Sequence, residues 1–150
     1  MANFKHIEDG IFIGSQPAQQ DLKEAKQLGI QTVIDLRMPG ESATSNEEAT
    51  SSNGLGYVNI PVNKTALAAR QIDELERAMA RTPGPYLLHC ATGARAALLL
   101  MLSHARQKKW TAEQTFDEAR SIGFNLADSD NFAAFIREIT ALVSDNYLGR

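Results

Sequence analysis

The chain has 150 residues, of which 43% are hydrophobic and 22% are charged, and this composition predicts one ordinary globular domain over residues 1–150. Fifteen basic residues against eighteen acidic ones give a net charge of −3, which excludes a strongly basic surface for binding nucleic acid. Because the most apolar run, residues 96–102, is too short to span a membrane, we predict a cytoplasmic protein with no membrane partner.

Strand-like and helical patterns alternate along the chain, and Gly, Pro and Asp residues separate them. The apolar and β-branched stretches predict strands over residues 6–13 (with a turn at Asp9-Gly10), 30–36, 57–62 and 86–89. The helical spacing of apolar residues predicts helices over residues 17–28, 67–80, 95–107, 111–121 and 129–144, with Thr111 as an N-cap. The polar segment 37–54, here called the excursion, predicts a surface loop with one short helix around residues 47–51.

This alternation predicts an α/β fold with a central, mostly parallel sheet of four to five strands and helices on both faces. The helical last third of the chain is expected to cover one face. In such sheets, reactive groups gather beyond the carboxyl ends of the strands, where loops meet helix N-termini. The single cysteine, Cys90, falls at this kind of position, directly after the last predicted strand.

The segment over residues 87–96, LLHCATGARA, carries the chemistry predicted for the chain. The backbone N–H groups of residues 91–95 are expected to curl toward one point at a helix N-terminus, where unpaired donors favour an anion. Arg95 adds a planar cation that can bind two oxygens of a tetrahedral anion. The positive charge of Arg95 and the N–H donors of the helix N-terminus also favour the thiolate form of Cys90. His89 is expected to support the loop from behind without direct chemistry. The alternative is that Cys90 is unreactive and packs in the core as a small hydrophobic side chain, as a lone cysteine after a strand usually does.

The loop HCATGAR resembles the Cys–Arg loop of the cysteine-dependent phosphatase superfamily, which includes the tyrosine and dual-specificity phosphatases. Upstream, IFIGSQPAQQDLKEAKQLGIQTVIDLR and YVNIPV are similar to the opening of the beta-lactamase-hydrolase-like phosphatase family, a bacterial branch of that superfamily. The likeness covers about residues 6–124 and implies a phosphatase-like fold that uses no metal and no cofactor. It also implies a phosphocysteine intermediate that water hydrolyses. The implied site consists of the nucleophile Cys90, the phosphate clamp Arg95, and the loop residues His89, Ala91, Thr92, Gly93 and Ala94.

The chain departs from the superfamily pattern at three points. Four residues separate Cys90 from Arg95, where conventional members have five; the bacterial branch and many rhodanese-type sulfurtransferases share the shorter loop. The tyrosine and dual-specificity phosphatases carry an aspartate after the strand that corresponds to YVNIPV, and this acid protonates the leaving oxygen. Here Asn63 and Lys64 follow instead, and an amide in place of the acid costs a factor of about 10²–10⁴ in rate. Asn63 remains a candidate for binding substrate. Ala96 stands where a hydroxyl residue usually follows the arginine.

Three carboxylates are candidate replacements for the missing acid. They are Glu41 in the excursion and Asp128 and Asp130 near the last helix, and for each the favoured interpretation is a solvated carboxylate or a helix N-cap. Arg37 is a candidate substrate-binding residue at the rim of the site. The alternative for Arg37 is an ion pair with Asp35 or another nearby acid.

Three functions fit these residues. The leading prediction is hydrolysis of a phosphate monoester, either on a phosphorylated protein or on a small metabolite, through Cys90. The second is a sulfurtransferase that carries a persulfide on Cys90 and needs no general acid. The third is a phosphate-binding module with little or no turnover.

Overall fold

The computed structural model describes residues 3–42 and 46–148, with side chains as far as residue 142. Strands and helices alternate as predicted. In chain order the elements are β1 (Phe4–Glu8), β2 (Ile11–Gly14), α1 (Gln19–Gln27), β3 (Thr32–Asp35), α2 (Glu47–Ser52), β4 (Gly56–Asn59), α3 (Ala69–Arg81), β5 (Tyr86–His89), α4 (Ala94–Lys108), α5 (Ala112–Ser121) and α6 (Asp130–Leu148), with a short 3₁₀ helix (Leu126–Asp128) before α6. Within the described ranges we find no helix suited to crossing a bilayer.

Five strands form one sheet in the order β1-β2-β5-β3-β4. The hairpin pair β1 and β2 is antiparallel, and the other three pairs of neighbours are parallel. The strand predicted over residues 6–13 is therefore two strands, because the chain turns back on itself at Asp9 and Gly10. The predicted α/β class and the mostly parallel sheet are confirmed.

The carboxyl end of the sheet is level across four strands. Gly14 of β2 and Asp35 of β3 both lie opposite His89 of β5, and Asn59 of β4 lies opposite Asp35. Because β5 is the central strand, the residue that follows it, Cys90, emerges in the middle of this edge. The fold thus places Cys90 at the kind of position that the sequence predicts.

Helices cover both faces of the sheet, and alternate residues of the central strands pack into different layers. Val33 and Leu87 pack with residues of α1 on one face. Ile34 and Leu88 pack on the other face with residues of α3, α4, α5 and α6. Residues 96–102 of α4 are all buried in this second layer. The most apolar run of the sequence is therefore the centre of the core.

Element boundaries differ from the predictions by a few residues. The strand predicted to reach residue 62 ends at Asn59, although the N–H groups of Ile60 and Val62 still donate to the carbonyl oxygens of Asp35 and Leu36 at 2.9 and 3.1 Å. The predicted cap of α5 is confirmed: the Thr111 Oγ1 accepts a hydrogen bond from the Gln114 N–H at 3.1 Å, and the Gln114 side chain accepts one from the Thr111 N–H. Helix α2 confirms the short helix predicted inside the excursion.

Candidate active site

The loop between β5 and α4 holds the Cys90 side chain against a backbone amide. The residue is 1% exposed, and its Sγ accepts a hydrogen bond from the Gly93 N–H at 3.0 Å. The loop runs directly into α4, which begins at Ala94, so the positive end of the helix dipole points toward it. Donors and dipoles of this kind stabilise an anion. Ala91 and Thr92 are exposed and form the accessible side of the loop.

Arg95 lies in the first turn of α4 and is 7% exposed. Its guanidinium donates to both carboxylate oxygens of Glu41, from Nη1 to Oε2 at 2.6 Å and from Nη2 to Oε1 at 2.7 Å. Nη1 also donates to the carbonyl oxygen of Val62 at 2.9 Å. The Glu41 hydrogen bonds raise the pKa of Arg95 above its ordinary value, burial opposes them, and the Cys90 side chain adds to the rise. Arg95 and Cys90 are therefore close enough to interact, as the sequence predicts.

Glu41 reaches Arg95 from the excursion: the residue is exposed, as the sequence predicts, but the guanidinium of Arg95 binds its carboxylate. A turn positions it: the Glu41 N–H donates to the Met38 carbonyl at 3.2 Å, and the Met38 N–H donates to the Glu41 Oε2 at 2.6 Å. Pro39 and Gly40, the latter at φ +90°, suit the two central positions of a type II turn. The hydrogen bonds from Arg95 lower the pKa of Glu41, burial opposes them, and the Met38 N–H adds to the lowering. The carboxylate is thus ionised at neutral pH.

His89 is fully buried at the end of β5. Its Nε2 lies 3.2 Å from the Asn46 Nδ2, and because an amide nitrogen donates, Nε2 is the acceptor and Nδ1 carries the proton. Nδ1 faces the Asp35 Oδ1 at 3.8 Å. Burial lowers the pKa of His89 to about 4, although Asp35 opposes this, so the ring is neutral at neutral pH. The buried position leaves no surface of His89 for contact with a substrate, and the support of the loop by this ring stays a prediction.

Asp35, at the end of β3, organises a buried polar cluster beside the loop. Arg37 donates from Nε and Nη2 to its two carboxylate oxygens, each at 3.0 Å, and the Tyr57 hydroxyl donates to it at 2.8 Å. Burial alone raises the pKa of Asp35, but the bonds from Arg37 bring it below its ordinary value. Arg37 is 4% exposed and also donates to Ser42. The structure therefore corrects the prediction for Arg37: it is the structural ion pair with Asp35 and not a substrate-binding residue at the rim.

The other polar candidates have local roles. The Asn63 Oδ1 accepts hydrogen bonds from the N–H and the hydroxyl of Thr65, at 2.9 and 2.7 Å, and so stabilises a turn. Lys64, Asp128 and Asp130 are exposed, and no described hydrogen bond or ion pair joins their side chains to the loop. Within residues 3–42 and 46–148, no cluster of three or more His, Cys, Asp or Glu side chains is arranged to hold a metal ion.

Comparison with known families decides where this chain belongs. Residues 3–107 match the family described as beta-lactamase hydrolase-like protein, phosphatase-like domain. The chain belongs to this family. The match includes the loop, the excursion and all five strands of the phosphatase-like domain, and confirms the resemblance seen in the sequence.

Curated relatives of the phosphatase-like domain are longer proteins. Beta-lactamase hydrolase-like proteins from two strains of Xylella fastidiosa are 28% identical to it over 125 residues. The alignment covers 80% of this chain and 29% of each relative, so the chain spans less than a third of the length of these relatives.

Solved structures share the fold of the phosphatase-like domain. A putative phosphatase from Shewanella putrefaciens aligns with a TM-score of 0.74 at 23% identity, over 94% of this chain and 90% of that one. TpbA from P. aeruginosa, solved in complex with phosphotyrosine, aligns with a TM-score of 0.72 at 14% identity, over 95% and 91% of the two chains. The predicted phosphatase-like fold is confirmed.

Proposed function

We propose that the domain hydrolyses phosphate monoesters with Cys90 as the nucleophile. The observation that carries the proposal is the hydrogen bond from the Gly93 N–H to the Cys90 Sγ at 3.0 Å, at the N-terminus of the helix whose second residue is Arg95. A sulfur that accepts a backbone hydrogen bond beside a guanidinium is better suited to act as an anion than to fill space. Membership in a phosphatase-like family supports this role over inert packing.

The proposed reaction has two steps at phosphorus. The Cys90 thiolate attacks, an S–P bond forms, and the P–O bond to the leaving group breaks while the leaving oxygen takes a proton from solvent. Water then attacks the phosphocysteine, the S–P bond breaks, and inorganic phosphate and the thiolate are released. In both steps the N–H groups of residues 91–94 and the guanidinium of Arg95 would stabilise the charge on the nonbridging oxygens.

Asn63, the residue after Val62, affects which class of substrate the domain can hydrolyse. Asn63 has no proton of sufficient acidity to donate, so the first step is fastest when the leaving oxygen is stable as an anion. Aryl phosphates meet this condition, and the phosphotyrosine complex of the similarly folded TpbA supports the same class. We therefore propose phosphotyrosine or another aryl phosphate, on a protein or a small molecule, as the substrate.

The variant Cys90→Ser tests the nucleophile. We expect hydrolysis of para-nitrophenyl phosphate to fall roughly 10³-fold or more, because a neutral hydroxyl replaces the thiolate. Tungstate affinity, measured by calorimetry, and the thermal midpoint should stay near the wild-type values. Because Cys90 is the sole cysteine, iodoacetamide reports on this site alone, and tungstate should protect it. Acid quenching during turnover should trap one phosphoryl group on Cys90, visible by mass spectrometry.

A parallel assay with thiosulfate and cyanide separates the alternatives. Turnover in that assay alone would overturn the phosphatase proposal in favour of a sulfurtransferase. Tungstate binding without turnover in either assay would identify a phosphate-binding module. Undiminished hydrolysis by the Cys90→Ser variant would exclude Cys90 as the nucleophile.

A further inference from the structure

A cavity of about 330 Å³ lies between the edge strand β1 and the end of α5. Residues 5–7 and 120–123 line it, and Lys5 and Arg120 supply one cationic side chain from each element. We propose that this cavity, here called the basic pocket, binds a second anionic group of the substrate while the loop after β5 holds the phosphoryl group. The inference rests on the proposed phosphatase function and narrows its substrates to esters that carry a carboxylate or a second phosphate near the first phosphate.

The basic pocket lies close to the loop between β5 and α4. Strand β1 is antiparallel to β2, so its first residue lies opposite the last residue of β2, at the same edge of the sheet as the loop. Phe124 connects the two places. A Cβ built on Gly93 of the loop would lie 3.1 Å from the Phe124 Cζ, and the Lys5 Nζ lies 5.5 Å from the centroid of the same ring. One aromatic ring therefore separates the loop from the Lys5 ammonium, a span that a single substrate molecule can bridge.

The charge of Lys5 is available to a ligand. The residue is exposed, and within the described ranges no ion pair involves its Nζ. The contact with the face of Phe124 holds the ammonium at the wall of the basic pocket without neutralising it. Arg120 donates from Nη2 to the Asp117 Oδ1, which offsets part of its charge but uses one of five N–H donors. Of the described residues that line the basic pocket, none is acidic, so it favours an anionic group.

The end of α5 offers Lys5 a different role. Carbonyl groups at a helix C-terminus attract a cation, and the Lys5 Nζ lies against Gly123, just after that end. A lysine that only stabilised the helix would leave substrate preference unchanged. The open cavity beside Lys5 and Arg120 favours a ligand, because its volume lies within the range of small-molecule sites.

Two pairs of substrates test the inference. One pair is a phosphotyrosine peptide with glutamate on both sides of the phosphotyrosine and the same peptide with glutamine there. The other pair is benzene-1,3-bisphosphate and phenyl phosphate. We expect the wild-type kcat/KM to favour the more anionic member of at least one pair by about tenfold, because a charge-assisted contact forms in the basic pocket. Preference for the acidic peptide alone would indicate a protein substrate, and preference for the bisphosphate alone would indicate a small molecule.

The variants Lys5→Gln and Arg120→Gln should reduce this ratio to about 1–3. The ratio is the right quantity, because a change in the chemistry at Cys90 affects both members of a pair equally. Lys23→Gln is the matched control: Lys23 is exposed on α1, on the opposite face of the sheet from α5, and its variant should keep the wild-type ratio.

A wild-type ratio near 1 for both pairs would overturn the inference. A wild-type ratio in Lys5→Gln together with a lower thermal midpoint would also overturn it, and would show that Lys5 only stabilises the end of α5. If the wild type hydrolysed none of the four compounds, the proposed function would fail, and the Kd values of the same compounds, measured by calorimetry, would still test the basic pocket. Tighter binding of the more anionic member that is lost in Lys5→Gln would support the inference, and equal Kd values or no binding would overturn it.

Discussion

Gly93 has a backbone conformation that other residues adopt only with strain. Its φ is +97°, and a Cβ added there would lie 3.1 Å from the Phe124 Cζ and 3.3 Å from the Gly14 carbonyl oxygen. Any other residue would therefore combine backbone strain with unusually tight contacts against a ring and a strand. The same residue donates the hydrogen bond to Cys90, so the geometry of the site depends on it.

We predict that Gly93→Ala destabilises the fold by about 1–3 kcal/mol and lowers kcat/KM at least about tenfold. Urea unfolding and the para-nitrophenyl phosphate assay measure the two effects. Gly29→Ala is the matched control, because Gly29 has φ +90° and its added Cβ would meet nothing within 4 Å. The control should cost about 1 kcal/mol from the backbone alone and keep full activity. The prediction would be contradicted if Gly93→Ala and Gly29→Ala lost the same free energy of unfolding and had the same kcat/KM.

The buried ring of His89 should make stability depend on pH. The folded chain holds the pKa of His89 at about 4 through burial, whereas the ordinary value is 6.5. The stabilising contribution of the neutral ring is complete above pH 6.5, and it is lost as the pH falls from 6.5 through about 4. The reason is that the unfolded chain binds a proton in this window and the folded chain does not. The loss amounts to about 3 kcal/mol by pH 4.

Urea unfolding of the wild type and of His89→Asn at pH 7 and pH 4.5 measures this contribution. The variant should be less stable at pH 7 and should show a smaller decline between the two pH values. His6→Asn, changed on the exposed edge strand β1, is the control and should decline as the wild type does. If the free energy of unfolding of His89→Asn fell between pH 7 and pH 4.5 by as much as that of the wild type, other groups would cause the pH dependence.

At the scale of elements, the predictions succeeded where the signal is local. The Thr111 cap, the polar excursion with its α2 helix, and the strand before Cys90 follow from short patterns that tertiary contacts do not alter. The pattern over residues 6–13 predicts one strand broken by a turn instead of the hairpin of β1 and β2, because apolar residues continue on both sides of Asp9-Gly10. The Cys90 loop was predictable for the same reason as the cap: its strand, donors and arginine lie within a few residues of one another.

The excursion shows why the rest of the site could not be predicted. The residues Met38, Pro39, Gly40 and Glu41 contain a turn signal, and the structure has a turn there. The partner of Glu41 lies 54 positions away on α4, and the pairing depends on how the whole sheet brings the two segments together. Composition indicates a solvated carboxylate at such a position.

At the scale of the molecule, the strand order decides what the site contains. The alternation of elements predicts a parallel sheet but not the order β1-β2-β5-β3-β4. Because β5 is inserted between β2 and β3, His89 lies level with Gly14 on one side and Asp35 on the other. The polar cluster of Asp35 and Arg37 therefore lies beside His89, the residue that precedes Cys90.

Among the described residues, two arginines are buried, and the pairing of each with a carboxylate affects how an anion reaches the site. Arg95 is matched by Glu41 and Arg37 by Asp35, and the whole chain carries a net charge of −3. Long-range steering of a dianionic ester toward the domain should therefore be absent or repulsive. We predict that raising sodium chloride from about 20 to about 200 mM leaves kcat/KM for para-nitrophenyl phosphate unchanged or raises it up to about twofold. A severalfold fall would reveal an attractive field. If the prediction holds, recognition of the anion depends on the short-range geometry of the hydrogen-bond donors, and kcat/KM changes little with ionic strength.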